Sequence, residues 1–278
     1  MIPYLSNDFP NSNLSNKPNG VFACLANGLK VSQWNASSLF YHKSHIMFTK
    51  LKYVHSILDT HDVFFLQESH GSEYLLKLHF RRFFKVFHID FSFIDSSTGG
   101  VITFIRKSLI HNSFLLPHFA FGEGRILRSE ITNGKQSMIF YNLHFYDIPN
   151  TMFSLFHKSV LRDVESAVAG NGVILLSGDF NVAKGGNPDI DHHFPLSPPV
   201  NRSNEGTQAK ALNELVSSLV EVEIDEPTHY TPSTGRLSFI DRFAFFFPLG
   251  FLDILRSQPL LLLDLTLCPP YYSLTMGF

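Results

Sequence analysis

Short apolar runs typical of buried strands alternate along this chain with segments that have helical periodicity. Residues 63–66, 101–105 and 173–176 are strand-like runs, whereas residues 44–60 and 151–167 place apolar side chains on one helical face. Mixed strands and helices in this order predict an α/β protein in which two packed mixed sheets are flanked by helices.

The same alternation extends over most of the chain. Further helices are predicted over 72–84 and 207–219, and further strands over 21–25, 124–131, 137–145, 220–224 and 239–247. The dipeptide Asn133-Gly134 stands between two of these strands and predicts a tight hairpin. The polar stretch 183–207 predicts a long loop, which in a compact domain is usually functional or mobile.

Composition restricts the class of protein. The chain has 278 residues, of which 44% are hydrophobic, so a sizeable core can form. We expect residues 1–19, which are rich in Asn, Ser and Pro, to form a flexible leader, and residues 20–278 to form one domain. A formal net charge of −2 argues against a strongly basic protein that coats nucleic acid, although a local basic face is compatible with it.

Cysteine content and hydropathy bear on location. Two cysteines, Cys24 and Cys268, cannot form a disulfide framework, which favours a reducing compartment. The sequence shows no signal segment and no apolar window of about 18 residues that could span a membrane. We therefore expect an intracellular protein, with a nuclear location open, and no obligate oligomer is indicated.

The segment Ser177-Gly178-Asp179-Phe180-Asn181 directly follows a predicted buried strand. Glycine allows a sharp turn there, and the spacing of Asp179 and Asn181 directs both side chains to one side of an extended chain. A carboxylate beside an amide can polarise a water molecule while contacting a phosphate. A strand-end turn capped by an Asx side chain explains the segment equally well.

Glu68 stands at a second strand end, within Leu66-Gln67-Glu68-Ser69-His70. A carboxylate at that place can ligate a hard cation such as Mg²⁺. The simpler alternative is a surface glutamate at the start of the next helix, where its charge favours the helix N-terminus.

Two further segments carry ionisable groups at predicted strand ends. Asp241, in the segment 238–242, can orient a histidine or can form a surface pair with Arg242. His144 and Tyr146 share one face of their strand, and either can bind an oxyanion, although a single strand histidine is more often structural. Each segment alone is weak evidence, and their common position at strand ends links them.

These segments occur together and in order, and the set resembles the endonuclease/exonuclease/phosphatase superfamily, which has the DNase I-like fold. Within it, the chain looks most similar to the apurinic-type endonuclease domains of LINE-type non-LTR retrotransposons. The matching stretches are 27–30, 62–70, 99–101, 124–127, 141–144, 177–181, 223–231 and 238–242. The resemblance implies a four-layer α/β sandwich and a hydrolase that cleaves DNA phosphodiester bonds with Mg²⁺ or Mn²⁺.

The resemblance also implies a role for each matching residue. Glu68 and Asn27 would lie at the metal, and His144 would contact the scissile phosphate. Asp179 would position or deprotonate the attacking water, and Asn181 would hold water and phosphate. A metal that neutralises the phosphate and a carboxylate that readies the nucleophile form a coherent mechanism.

DNA is the partner that the resemblance implies. Arg125, Lys184 and Tyr146 are the candidate substrate-binding residues. If these and other basic side chains share a rim with Glu68 and Asp179, DNA is favoured, because phosphate contacts dominate such affinity. The other basic candidates are Lys30, Arg106 and Lys107.

The first departure from the family pattern concerns the metal. The position two residues before Asn27 is occupied by Leu25, where the family has an asparagine. Leucine can neither ligate a hard cation nor donate to a phosphate. We therefore expect weak Mg²⁺ binding.

The second departure lies near the C-terminus. Asp241 would orient the histidine of a Ser-Asp-His motif further along the chain, but no histidine follows His229. In the matching segment 263–265, Asp264 stands in for the aspartate and Leu265 replaces the histidine. Impaired catalysis is expected, because residues that act as one unit fail together. A truncated, frame-shifted or decaying retrotransposon copy without its reverse transcriptase would explain this atypical part.

Two other functions stay open. The chain could be a catalytically inactive relative that only binds nucleic acid or protein. It could also be a phosphatase or phospholipase of the same superfamily, since substrate choice lies in loops rather than in the fold. The Asp and His residues of 189–193 could bind a second metal, but a solvated loop explains them better.

Overall fold

Ten stretches of the chain are described by the computed structural model: residues 29–40, 43–95, 98–110, 113–170, 172–181, 206–222, 229–231, 236–238, 241–246 and 264–267. The predicted leader 1–19, the strand-like run 21–25 and nearly all of the polar loop 183–207 lie outside them. Within the described stretches, the helices are too short or too polar to cross a membrane.

The described residues alternate between strands and helices. The strands are β1 (Lys30–Asn35), β2 (Val63–Gln67), β3 (Phe87–Ser92), β4 (Val101–Arg106), β5 (Phe114–Phe121), β6 (Ile126–Thr132), β7 (Ser137–His144), β8 (Gly172–Asp179), β9 (Val220–Glu221), β10 (His229–Thr231), β11 (Arg236–Ser238), β12 (Asp241–Phe246) and β13 (Asp264–Leu267). The helices are α1 (Ser44–Thr60), α2 (Glu73–His79), α3 (Asn150–Gly170) and α4 (Thr207–Ser217). Short 3-10 helices span Phe83–Lys85 and Lys107–Ile110.

Two mixed sheets form the centre of the fold. The first has the strand order β13-β1-β2-β4-β3, and the second has the order β5-β6-β7-β8-β12-β9. β1 pairs in parallel with β2 and β13, and β7 pairs in parallel with β8, whereas the other pairs are antiparallel. Parallel neighbours need a crossover connection, which α1 supplies between β1 and β2 and α3 supplies between β7 and β8.

Side chains alternate between the two faces of each strand and so build separate layers of core. In β2, Val63 and Phe65 face the other sheet, while Phe64 and Leu66 pack under the helices. Helices α1 and α2 cover the first sheet, and α3 and α4 cover the second. The predicted four-layer α/β sandwich is therefore confirmed.

Several local predictions agree with the structure. Helix α1 has the predicted bounds, and the Asn133-Gly134 turn joins β6 to β7. Gly134 adopts a φ of 84°, and Asn133 Oδ1 accepts two backbone N–H groups of the turn. The predicted helix 72–84 is too long, because α2 ends at His79 and a 3-10 helix follows.

Candidate active site

Polar side chains line one end of the space between the two sheets. On three strands they come in pairs two residues apart: Gln33 with Asn35 on β1, Asn142 with His144 on β7, and Ser177 with Asp179 on β8. Because alternate residues of a strand share a face, both members of each pair point between the sheets. The first member of each pair is buried, and the second is the last residue of its strand.

The buried members connect the sheets by hydrogen bonds. Ser177 Oγ donates to Gln33 Oε1 across 2.6 Å, and Gln67 Nε2 donates to Asn142 Oδ1 across 2.8 Å. Asn142 Nδ2 in turn donates to the carbonyl oxygen of Ile102 at 2.9 Å. These bonds fix the position of the strands of one sheet along the strands of the other. The strand-end residues that follow therefore lie at the same end of the sandwich.

The pairing register brings the strand ends together. His144 on β7 pairs with Asp179 on β8, and Asp241, the first residue of β12, pairs with Asp179 from the other side. In the first sheet, β1 ends at Asn35 beside the point where β2 passes into Glu68. The predicted residues Glu68, His144, Asp179 and Asp241 therefore lie at one edge of the sandwich.

Glu68 leaves its strand in a left-handed backbone conformation, with a φ of 49°. Its carbonyl oxygen accepts the N–H of Ser38 at 2.8 Å, and the N–H of Ser69 bonds to Gly100. A non-glycine residue in this conformation costs roughly 1–2 kcal/mol. The surrounding hydrogen bonds hold this turn, which directs the carboxylate towards the second sheet.

Glu68, His144 and Asp179 converge in space. Glu68 Oε1 lies 2.9 Å from His144 Nε2, and the His144 side chain is only 3% exposed. Asn35 Nδ2 donates to Asp179 Oδ2 across 2.7 Å. Potential ligand atoms of the three converging residues all lie within 4.8 Å of one another. Carboxylate oxygens at this spacing fit a divalent cation, so the side chains present are compatible with a metal centre.

The pKa values of the Glu68 and Asp179 carboxyl groups are shifted in opposite directions. Burial raises the pKa of Asp179 above its usual value, although His144 and the hydrogen bonds from Asn181 and Asn35 oppose the shift. Burial also acts to raise the pKa of Glu68, but the hydrogen bonds from His144 and Asn35 outweigh it, and the net pKa is lowered. Pairs of carboxyls separated in this way are typical of sites that need one group charged and another able to take a proton.

The segment that carries Asp179 is also an Asx turn. Asp179 Oδ1 accepts the backbone N–H of Asn181 at 2.8 Å, while its other oxygen faces Asn35. Gly178 adopts a φ of 144°, and a Cβ there would lie 2.0 Å from the carbonyl oxygen of Leu143. Glycine is thus required for β8 to pass close to β7. The Asx capping is therefore observed and Asn181 is exposed beside the carboxylate, while the action of this segment on water and phosphate stays a prediction.

Arg125 and Tyr146 form the outer part of the site. Arg125 Nη1 lies 3.1 Å from His144 Nδ1, and its guanidinium carbon lies 5.3 Å from the centre of the Tyr146 ring. The Tyr146 ring stacks on His144 with centroids 6.1 Å apart and is 59% exposed. Two of the three predicted substrate-binding residues therefore border the converging carboxylates and can meet a ligand from solvent.

Three of the basic candidates do not share this rim. Lys30 begins β1, and Arg106 ends β4 beside the start of β2, so both lie at the opposite end of the first sheet from Glu68. Arg106 forms an ion pair there with Asp62 at 3.1 Å. Lys107 follows Arg106 and donates to a carbonyl oxygen of the neighbouring 3-10 helix. The condition for favouring DNA from charge, that these basic side chains share a rim with Glu68 and Asp179, is therefore not met by these three residues, which weakens that support for DNA.

The structure does not bring Asp264 to the site either. Asp264 begins β13 and pairs with Lys30, the first residue of β1. Asn35 stands five positions after Lys30 in β1, which corresponds to about 16 Å along the strand. Of the remaining predicted residues, Asn27 and Lys184 lie outside the described stretches, as does Leu25.

Sequence reasoning missed Asn35, the amide that contacts both carboxylates. The signal was present in Gln33 and Asn35, two polar residues with strand spacing, directly before a turn. Leu25, on which the expectation of weak Mg²⁺ binding rests, lies outside the described stretches, so that expectation stays a prediction.

Lys50 was also missed, although it organises the loop after β1. Its ammonium group donates to the carbonyl oxygens of Ala36, Ser37 and Ser38 at 2.6, 2.6 and 3.1 Å. Burial lowers the pKa of Lys50, and the nearby charge of Glu68 opposes that shift. A lysine on helix α1 gives no local sequence signal for this contact, because the loop that it binds is distant along the chain.

No protein-family model matches the sequence, and no curated protein matches it. Solved structures do match. The AP endonuclease LMAP of Leishmania major superposes with a TM-score of 0.52 at 14% identity, over 77% of this chain and 77% of that chain. The catalytic domain of Xenopus laevis APE2 superposes with a TM-score of 0.50 at 15% identity, over 80% of this chain and 82% of that domain. The chain thus has the DNase I-like α/β fold, as the sequence predicted.

Proposed function

We propose that this chain is a divalent-metal-dependent phosphodiesterase that cleaves DNA. The observation that supports it best is the convergence of Glu68, His144 and Asp179 within 4.8 Å at one end of a DNase I-like sandwich. DNA as the substrate is supported by the solved neighbours, which include an AP endonuclease. Residues 20–278 act as one nuclease domain, and a nuclear location would suit this substrate.

Mg²⁺ or Mn²⁺ would be held by Glu68, with Asp179 close enough to share the ion or its water. When bound, such a cation neutralises charge on the phosphate. The depressed pKa of Glu68 keeps this carboxylate charged at neutral pH, as a metal ligand must be. The two hydrogen bonds of Asp179, from Asn35 and from the Asn181 backbone, hold its oxygens in fixed directions.

Asp179 is the proposed base. Its raised pKa makes it a better proton acceptor than an ordinary surface aspartate, and it directs the attacking water towards the phosphate. Asn181 and Arg125 bind phosphate oxygens from the exposed side. His144, whose Nε2 faces Glu68 Oε1 at 2.9 Å, is the group proposed to contact the scissile phosphate.

The chain is proposed to derive from a LINE-type retrotransposon endonuclease domain with reduced activity. The stretches 62–70, 177–181 and 238–242 support the origin, since they match that family in order. The absence of any histidine after His229 supports the reduction, because the histidine of the Ser-Asp-His motif belongs to a catalytic unit whose members depend on one another. The same absence favours one second candidate, a relative that binds DNA without cleaving it.

Nicking of supercoiled plasmid in Mg²⁺ and in Mn²⁺ tests the proposal. We expect nicking that is abolished by EDTA and reduced at least a hundredfold in Glu68→Gln and in Asp179→Asn. A rate loss of about this size follows when one group that stabilises the transition state is removed. Glu73→Gln is the matched control, because Glu73 is an exposed carboxylate on α2 that pairs only with Lys77. Equal nicking by all four proteins would contradict the proposed site, whereas DNA binding without nicking would favour the binding-only candidate.

A further inference from the structure

The side chain of Arg125 contacts the imidazole ring of His144. Its Nη1 lies 3.1 Å from His144 Nδ1. A guanidinium group is charged and can only donate hydrogen bonds, so Nδ1 must be the acceptor. Of the two ring nitrogens, Nε2 is then the one left to carry hydrogen, and it faces Glu68 Oε1 at 2.9 Å.

The fold holds Arg125 firmly in this position. The residue closes the turn between β5 and β6, and its N–H bonds to the carbonyl oxygen of Gly122. Its own carbonyl oxygen accepts the N–H of His144 at 2.7 Å, so the two residues are linked by backbone as well as side chain. The guanidinium also lies over the Tyr146 ring. The contact with Nδ1 is thus built into the strand pairing.

We infer that Arg125 sets the metal preference of the site by excluding His144 from the ligands, an inference that rests on the proposed function. A metal ligand must offer a lone pair, and a protonated Nε2 has none. The protein ligands then come from carboxylate oxygens alone, which suit Mg²⁺ and Mn²⁺. Without Arg125, Glu68, His144 and Asp179 would form a mixed nitrogen and oxygen set, which suits Zn²⁺ or Co²⁺.

Arg125→Met tests this inference, since methionine fills the space of the arginine stem but cannot donate to Nδ1. The full chain is loaded with Mn²⁺, and electron spin echo spectroscopy records whether a ¹⁴N nucleus is coupled to the ion. We expect no imidazole coupling in the wild type and coupling in Arg125→Met. The ratio of Zn²⁺ to Mg²⁺ affinity, measured by calorimetry, should rise at least about tenfold. Replacing a residue that is hydrogen-bonded to a metal ligand typically changes metal affinity by this much.

Two controls make the result specific. Arg162→Met removes an exposed arginine of α3 and should leave both the spectrum and the affinity ratio unchanged. In the double variant Arg125→Met, His144→Asn, the coupling should disappear, which assigns it to His144. Imidazole coupling in the wild type, or a spectrum and ratio unchanged in folded Arg125→Met, would overturn the inference while leaving the proposed metal dependence intact. Absence of any Mn²⁺ binding to the wild type would overturn the proposed function itself.

One measurement needs no variant that could misfold. In metal-free wild-type protein, ¹⁵N spectra of the histidine rings report which nitrogen is protonated. His144, assigned by its absence in His144→Asn, should be protonated at Nε2 and unprotonated at Nδ1. The opposite tautomer would contradict the inference directly.

Discussion

Asn35 and Asp179 belong to different sheets, and the amide of Asn35 donates to Asp179 Oδ2 across 2.7 Å. Asn35 ends β1 and Asp179 ends β8, so this bond joins the two sheets at the site. Because Asn35 also bonds to Glu68, one amide orients both carboxylates. Nuclease activity is therefore expected to depend on a residue that carries no charge.

Replacing Asn35 with alanine should reduce kcat/KM for plasmid nicking by about ten- to a hundredfold, the effect of losing a hydrogen bond to a charged group. The bond favours the ionised form of Asp179, so its loss raises the pKa of Asp179 further. The acid limb of the pH–rate profile should then move to higher pH. An acid limb that stays in place, or moves to lower pH, would contradict this role.

The site residues that could be predicted from sequence are those that follow apolar runs. Glu68 directly follows a buried strand and Asp179 ends one, and a polar residue at the end of a clear apolar pattern is a local signal. Asn35 ends a strand in which Ser32 and Gln33 are buried and polar. Gln33 is polar because it bonds to the other sheet, and that reason lies outside the local sequence.

Polar residues also break the apolar pattern of two edge strands, β3 and β5, which the sequence therefore did not predict. In β3, His88 and Asp90 are polar, and in β5, Pro117 and His118 fall at a break in the pairing with β6. A proline is tolerated at such an edge bulge but breaks the pattern of a strand. His118 Nδ1 lies 3.1 Å from Asp90 Oδ1, so these polar residues contact each other across the two sheets. Only the folded structure reveals such a pair.

The buried hydrogen bonds beneath the site should be important for stability. Asn142→Leu leaves the Gln67 side chain and the carbonyl oxygen of Ile102 without their partner inside the core. We expect the free energy of unfolding to fall by about 2–4 kcal/mol, since each unsatisfied buried group costs about 1–3 kcal/mol. Urea denaturation measures this loss, with Glu214→Gln on the exposed face of α4 as the control. A loss no larger than that of the control would contradict the prediction.

Tyr141 should make stability sensitive to alkaline pH. Its hydroxyl donates to Asp163 Oδ2 at 2.6 Å, and burial, followed by the charge of Asp163, raises the pKa of Tyr141. A raised pKa means that the neutral phenol stabilises the fold fully below the ordinary pKa of about 10 and less as pH rises above it. The stability of the wild type should fall more steeply above about pH 10 than that of Tyr141→Phe.

The comparison with Tyr141→Phe also isolates this residue from the other tyrosines, which titrate in both proteins. At neutral pH the variant should be less stable by about 1–2 kcal/mol, because Asp163 and Ser159 lose a buried partner. Urea titrations at a series of pH values give both quantities. Parallel stability curves for the two proteins would show that ionisation of Tyr141 is not linked to unfolding.

Restoring a histidine at position 265 should fail to rescue nicking. The sequence match makes Leu265→His the natural repair of the missing motif, yet β13 pairs Leu265 with Val31. Asn35 stands four positions after Val31 in β1, about 13 Å along the strand, which is beyond the reach of one imidazole. We expect the nicking rate of Leu265→His to remain within about twofold of the wild type, far less than the loss or gain of one essential group. A large gain in rate, abolished again by Asp241→Asn, would contradict this pairing and show that position 265 approaches Asp241 instead.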